Sequence, residues 1–105
     1  MADLMKIRAR LKDGITEVRV LMIHPMETGR RIDDMGEKVP AHFIQLLTAT
    51  LNGKTVLEAQ WGTGISKNPY LTFRLRGANL GDKLKVGWVD NKGATNSIET
   101  AIEAG

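Results

Sequence analysis

The sequence predicts an all-β protein, an antiparallel β-sandwich of about seven strands. Three observations carry this. Apolar residues recur with period two through most of the chain, the spacing of strands that bury one face. Turn signals come at short intervals, at Asp13-Gly14, Asn52-Gly53 and Asn91-Lys92-Gly93. No stretch keeps helical apolar spacing beyond a turn or two.

The elements follow in order. Ile7, Ala9 and Leu11 alternate with Lys6, Arg8, Arg10 and Lys12, giving a first strand with one apolar and one basic face. Asp13-Gly14 turns the chain, since both residues tolerate positive φ. Val18, Val20 and Met22 repeat the pattern against Glu17 and Arg19. His24-Pro25 ends that strand, because proline has no N–H to donate to a ladder. From Met26 to Val39 the alternation lapses into the longest polar stretch, with only Ile32 and Met35 as larger apolar residues. A loop of that length in a compact domain is usually functional or mobile.

Pro40 leads into the strongest hairpin, His42 to Leu51 and Lys54 to Trp61 around Asn52-Gly53. Thr48, Thr50, Thr55 and Val56 are β-branched and suit a pleated surface. Both parities of the first arm are partly apolar, which predicts burial on both sides. Phe43, Leu47, Ala49 and Leu51 form its inward row, and Ile44 and Leu46 are expected to face outward. Gly62 to Pro69 is irregular. Leu71, Phe73 and Leu75 then form an inward row with Thr72 and Arg74 outside, and a glycine-containing loop covers Arg76 to Asp82. Leu84, Val86 and Trp88 build the next strand, and Thr95 to Ile102 pairs as the last. The immunoglobulin-like variety of sandwich fits this count, without its Cys…Trp…Cys marker.

Length and composition set the bounds. The 105 residues make one domain over 1–105, and 42% apolar with 26% charged residues is an ordinary globular balance. Fifteen basic and 12 acidic residues give a net charge of +3, well short of a dedicated nucleic-acid binder. There is no cysteine, which excludes disulfides, thiolate metal sites and a cysteine nucleophile, and leaves the compartment open. No apolar run approaches the roughly 18 residues that span a bilayer. Residues 1–12 lack the apolar stretch of about 7–15 residues of a signal peptide, so export is expected to need a signal-bearing partner. Neither a nucleic-acid nor a membrane partner is expected.

Few residues could carry chemistry. His24 and His42 are the only histidines and flank the polar loop. With Asp33 or Asp34 they could form a histidine–carboxylate base, and the plainer reading is that they end and start strands. No nucleophile elbow, HExxH or phosphate-cradling glycine loop accompanies them. Met22, His24, Met26, Met35 and His42 form a soft thioether–imidazole set suited to Cu(I), although Met22 falls on an inward row where methionine is core filler. Trp61 and Trp88 read as core. Tyr70, beside Pro69, is the aromatic best placed for an interface.

Six segments go further. His24-Pro-Met-Glu-Thr-Gly29, Val39-Pro-Ala-His-Phe-Ile44, Asn52-Gly-Lys-Thr-Val56, Ala59-Gln-Trp-Gly62, Ser66-Lys-Asn-Pro-Tyr70 and Trp88-Val-Asp-Asn-Lys-Gly93 closely resemble, in order, the SoxZ family of bacterial thiosulfate oxidation. The resemblance implies an immunoglobulin-like, non-catalytic subunit without cofactor, paired with the carrier subunit SoxY in the periplasm. SoxY holds the sulfur intermediates on a cysteine of its flexible C-terminal arm and presents them to other Sox enzymes through the complex. A cysteine-free chain agrees, since it cannot be the covalent carrier. A free thiol beside a carrier persulfide could also drain it by exchange. The residues expected at the SoxY interface are His24, Met26, Glu27, Thr28, Ile44, Leu46 and Tyr70. The alternative is a metal-binding sandwich that uses the Met/His set, with an enzyme third.

Overall fold

Each predicted strand forms, and outside the start of β3 each turns its apolar row inward. The computed structural model describes residues 4–105; residues 1–3 of the domain expected over 1–105 lie outside the described residues. The strands are β1 (Met5–Lys12), β2 (Ile15–Met22), β3 (Ile44–Leu51), β4 (Lys54–Gln60), β5 (Tyr70–Arg76), β6 (Lys83–Asp90), β7 (Thr95–Ala101) and the two-residue β8 (Glu103–Ala104). They make two four-stranded sheets, ordered β5-β2-β1-β8 and β4-β3-β6-β7. All pairs are antiparallel except β8, which runs parallel to β1. This is an immunoglobulin-like connectivity in which the fourth strand pairs with the third.

The hairpin turns adopt the backbone their residues allow. Asp13 and Gly14 have φ of 54° and 76°, and Asn52 and Gly53 have 49° and 85°. Between the sheets, Val18, Val20 and Met22 of β2 meet Leu47 and Ala49 of β3 and Leu84 and Val86 of β6, all with no exposed surface. Burying each larger side chain stabilises the fold by about 1.5–3 kcal/mol.

One expectation fails in β3. Its register with β6 slips between Ile44 and Leu46, leaving Gln45 as an extra residue. The bulge reverses parity for what precedes it. Ile44 therefore joins Leu47 and Ala49 in the core at 0% exposure, and Leu46 alone of the pair faces outward.

The two outer faces differ in chemistry. On the β5-β2-β1 sheet the cross-strand rows are Lys6–Leu21–Tyr70, Arg8–Arg19–Thr72, Arg10–Glu17–Arg74 and Lys12–Ile15–Arg76. On the other sheet they are Leu46–Val89–Thr95, Thr48–Gly87–Ser97 and Thr50–Lys85–Glu99. The first face is basic. The second is close to neutral, with small or apolar side chains.

The polar stretch from Met26 to Val39 is folded back on itself rather than open. Antiparallel bridges join Glu27 to His42 and Ile32 to Lys38. Asp33 Oδ1 accepts the amides of Met35 and Glu37 (both 2.9 Å) and shapes the tip.

Candidate functional site

At one end of the sandwich a buried carboxylate gathers both histidines. Asp90 lies on the inward parity of β6, in step with Leu84, Val86 and Trp88, and is 2% exposed. A carboxylate in that position must be fully hydrogen-bonded. Its Oδ1 accepts the amides of Lys92 (3.0 Å) and Ala94 (2.9 Å) in the β6–β7 turn. Its Oδ2 accepts His24 Nε2–H (3.1 Å) and His42 Nε2–H (2.7 Å). Burial pushes the Asp90 carboxyl up, and the bonds from His24, His42 and the two amides outweigh it and hold the group at about 2.

The segments bearing the histidines are themselves fixed. Asn68 Oδ1 accepts the His24 amide (3.0 Å), and the Asn68 amide returns a bond to the His24 carbonyl (2.9 Å). Asn91 Oδ1 accepts the Phe43 amide (2.7 Å), and its Nδ2 donates to the Ala41 carbonyl (2.9 Å). The two imidazoles meet edge to face with centroids 4.6 Å apart, and the Trp88 ring stands against His24 at 5.0 Å. Four of the six segments that carry the SoxZ resemblance thus converge at one place: 24–29, 39–44, 66–70 and 88–93.

The donor atoms of His24, His42 and Asp90 lie within 4.8 Å of one another, a spacing that a cation site also uses. The proton pattern speaks for a hydrogen-bond cluster instead. His24 Nδ1 accepts the Met26 amide (3.1 Å), so its remaining proton sits on Nε2, facing Asp90. A metal at Nε2 would need that proton moved to Nδ1, against another N–H. The methionines do not complete a soft site either. Met22 is core, Met26 Sδ accepts the Ile44 amide (3.3 Å), and Met35 is 87% exposed at the loop tip. Asp33 and Asp34 are not the histidines' partners: both Nε2 atoms face Asp90, and Asp33 caps its own loop.

The seven residues expected at an interface separate into two groups. His24, Met26 and Ile44 are inside the chain at 3%, 5% and 0% exposure, which corrects their placement on a surface. His24 and Met26 are drawn in by the Asp90 cluster, and Ile44 by the bulge. Glu27, Thr28, Leu46 and Tyr70 reach solvent, without forming one patch. Glu27 and Thr28 stand at the loop beside His42. There the Arg31 guanidinium, 3.0 Å from Glu27 Oε1, holds the Glu27 carboxyl below its usual range. Tyr70 lies on the basic face. Leu46 borders an open groove of about 480 Å³ on the neutral face, with Thr48, Gly87, Val89 and Ser97 and one cation, Lys85. A side chain on Gly87 would meet Ser97 Cβ at 3.3 Å, so the glycine keeps that face flat.

The architecture and the site define a class: an immunoglobulin-like sandwich pinned at one end by a saturated His–Asp–His cluster, with two chemically distinct sheet faces. Residues 5–101 match the family model described as sulphur oxidation protein SoxZ, and the chain belongs to that family. Its role lies in sulfur oxidation, within a Sox complex. No curated protein matches the chain.

Proposed function

We propose that this chain is the non-catalytic subunit of the SoxYZ sulfur-carrier heterodimer, acting in the periplasm without a cofactor as one domain over residues 1–105. It binds SoxY and holds it so that the cysteine arm of SoxY reaches the enzymes that load, oxidise and hydrolyse its sulfur. The observation that carries this reading is the absence of any cysteine from a SoxZ-family chain. Sulfur carried as a persulfide or thiosulfonate must then sit on the partner.

The surface that best suits a permanent partner is the neutral outer face of β4-β3-β6-β7 around Leu46. Obligate interfaces bury more than about 2,000 Å² around an apolar centre depleted of charge. Leu46, Val89 (38% exposed), Thr48 and Gly87 supply such a centre, whereas the opposite face is crowded with cations. Amide hydrogen exchange on the chain alone and with SoxY tests this. Added protection across β3 and β6 is expected. Protection confined to β1, β2 and β5 would move the interface to the other sheet.

A further inference from the structure

We infer that the basic outer face of the β5-β2-β1-β8 sheet is a docking surface for an acidic protein other than the carrier subunit. The inference rests on the proposed function in one respect, that the carrier occupies the neutral face and leaves this one open.

Seven cations project from β1, β2 and β5 on this face, against Glu17 and Glu103. The whole chain carries only +3, so its charge is concentrated here. Folding does not account for the arrangement. Arg8 and Arg19 are directly opposed across β1 and β2, and like charges in that position are destabilising. Glu17 is shared between Arg19 (2.7 Å) and Arg74 (3.8 Å), and Arg10 meets Glu103 at 3.8 Å. Among the described residues, Arg8, Lys12 and Arg76 have no carboxylate within ion-pair distance. An incoming anionic surface would relieve this repulsion.

The shape selects the class of anion. A cleft of about 210 Å³ lies between Lys6, Arg8, Arg19, Leu21 and Tyr70, and touches β1 at Ile7, which packs against the core. Such a concave, apolar-floored cleft rimmed by arginines takes a protruding apolar side chain flanked by carboxylates, which arginine engages in bidentate fashion. A bilayer has no protrusion to fill it. A nucleic acid would want several stacking platforms, and Tyr70, 60% exposed, is the face's one aromatic.

The test is titration of the isotope-labelled chain, alone and in complex with SoxY, with a Glu-rich peptide bearing one central leucine. The same peptide with glycine at its centre, a 20-nucleotide single-stranded DNA and vesicles containing phosphatidylglycerol serve as competing probes. The expected result is shifts confined to β1, β2 and β5 and about tenfold weaker binding of the glycine peptide. Raising salt from 50 to 200 mM should weaken binding by about an order of magnitude. Arg8→Glu/Arg19→Glu should lower affinity tenfold or more, and Lys38→Glu, exposed in the polar loop and on neither sheet face, should stay within twofold. Arg8→Glu alone, which loses no ion pair, gives the same direction if the double variant folds poorly.

Tighter binding of DNA or vesicles than of the leucine peptide would overturn the inference, as would shifts elsewhere, indifference to charge reversal, or no binding by any probe. Binding by the free chain that SoxY abolishes would assign this face to the carrier and overturn it too. Failure to form the complex at all would instead overturn the proposed function.

Discussion

Replacing Asp90 by asparagine probes the cluster most sharply, because the substitution keeps shape and changes only charge and donor pattern. If the new side-chain carbonyl keeps the Lys92 and Ala94 amides, its NH₂ faces two imidazole N–H groups at 2.7 and 3.1 Å. His42 can shift its proton to Nδ1, which leaves Nε2 in place as an acceptor for the new NH₂. His24 cannot, since its Nδ1 already accepts the Met26 amide. Two charge-assisted bonds are lost, each contributing about 1.5–3 kcal/mol, and one buried donor stays opposed. The expected loss is about 3–5 kcal/mol at pH 7, a large part of the roughly 5–15 kcal/mol of a domain this size.

Urea unfolding across pH gives a second, independent signature. The folded carboxyl at about 2 lies below its ordinary value of 3.8, so its stabilisation is full above 3.8 and fades as pH falls toward 2. At about 1.4 kcal/mol per unit, the gap between wild type and Asp90→Asn should narrow by about 2 kcal/mol over that window. A loss under about 1 kcal/mol at pH 7, or a gap that stays constant to pH 2, would refute the description of the cluster.

Other predictions follow from single contacts. Thr16 Oγ1 is buried without a partner, so Thr16→Val should stabilise by about 1 kcal/mol and raise Tm by about 4–8 °C in calorimetry. Gly29 has φ +85° with Ala41 Cβ 3.2 Å from where its own Cβ would sit, so Gly29→Ala should cost about 1–2 kcal/mol by urea titration. Gly14→Ala, also at positive φ but with open space around it, should cost less. Ile44→Asp should unfold the chain, because it buries an unpaired charge. Leu46→Asp should leave the isolated chain folded by circular dichroism and abolish its pairing with SoxY by size-exclusion chromatography.

The fold was largely legible because half-buried strands write their periodicity into sequence. Ile7 to Leu11, Val18 to Met22 and Leu84 to Trp88 each alternate cleanly, and Asp13-Gly14 and Asn52-Gly53 turn where their backbones allow. Bulges erase that legibility. One extra residue at Gln45 reversed the parity of Ile44, and nothing local announces such an insertion. The cluster was half legible. His24 and His42 stand out by rarity, and proximity in sequence points to Asp33 and Asp34 as their partners. The signal for Asp90 was present, as the continuation of the inward row Leu84, Val86, Trp88 onto a charged residue. A carboxylate on an apolar row demands donors, and the histidines are the side chains that supply them. The basic face was visible on β1 from the start; that β2 and β5 extend it depends on which strands pair.

The central claim is that this chain supports a sulfur carrier without carrying sulfur itself. Purification with SoxY after exposure to thiosulfate and the loading enzymes, followed by intact mass of each chain, tests it most directly. The expected result is a stable one-to-one complex with sulfur adducts on SoxY and an unmodified mass for this chain. A chain that stays monomeric beside SoxY, or that itself gains sulfur or retains a metal, would contradict it.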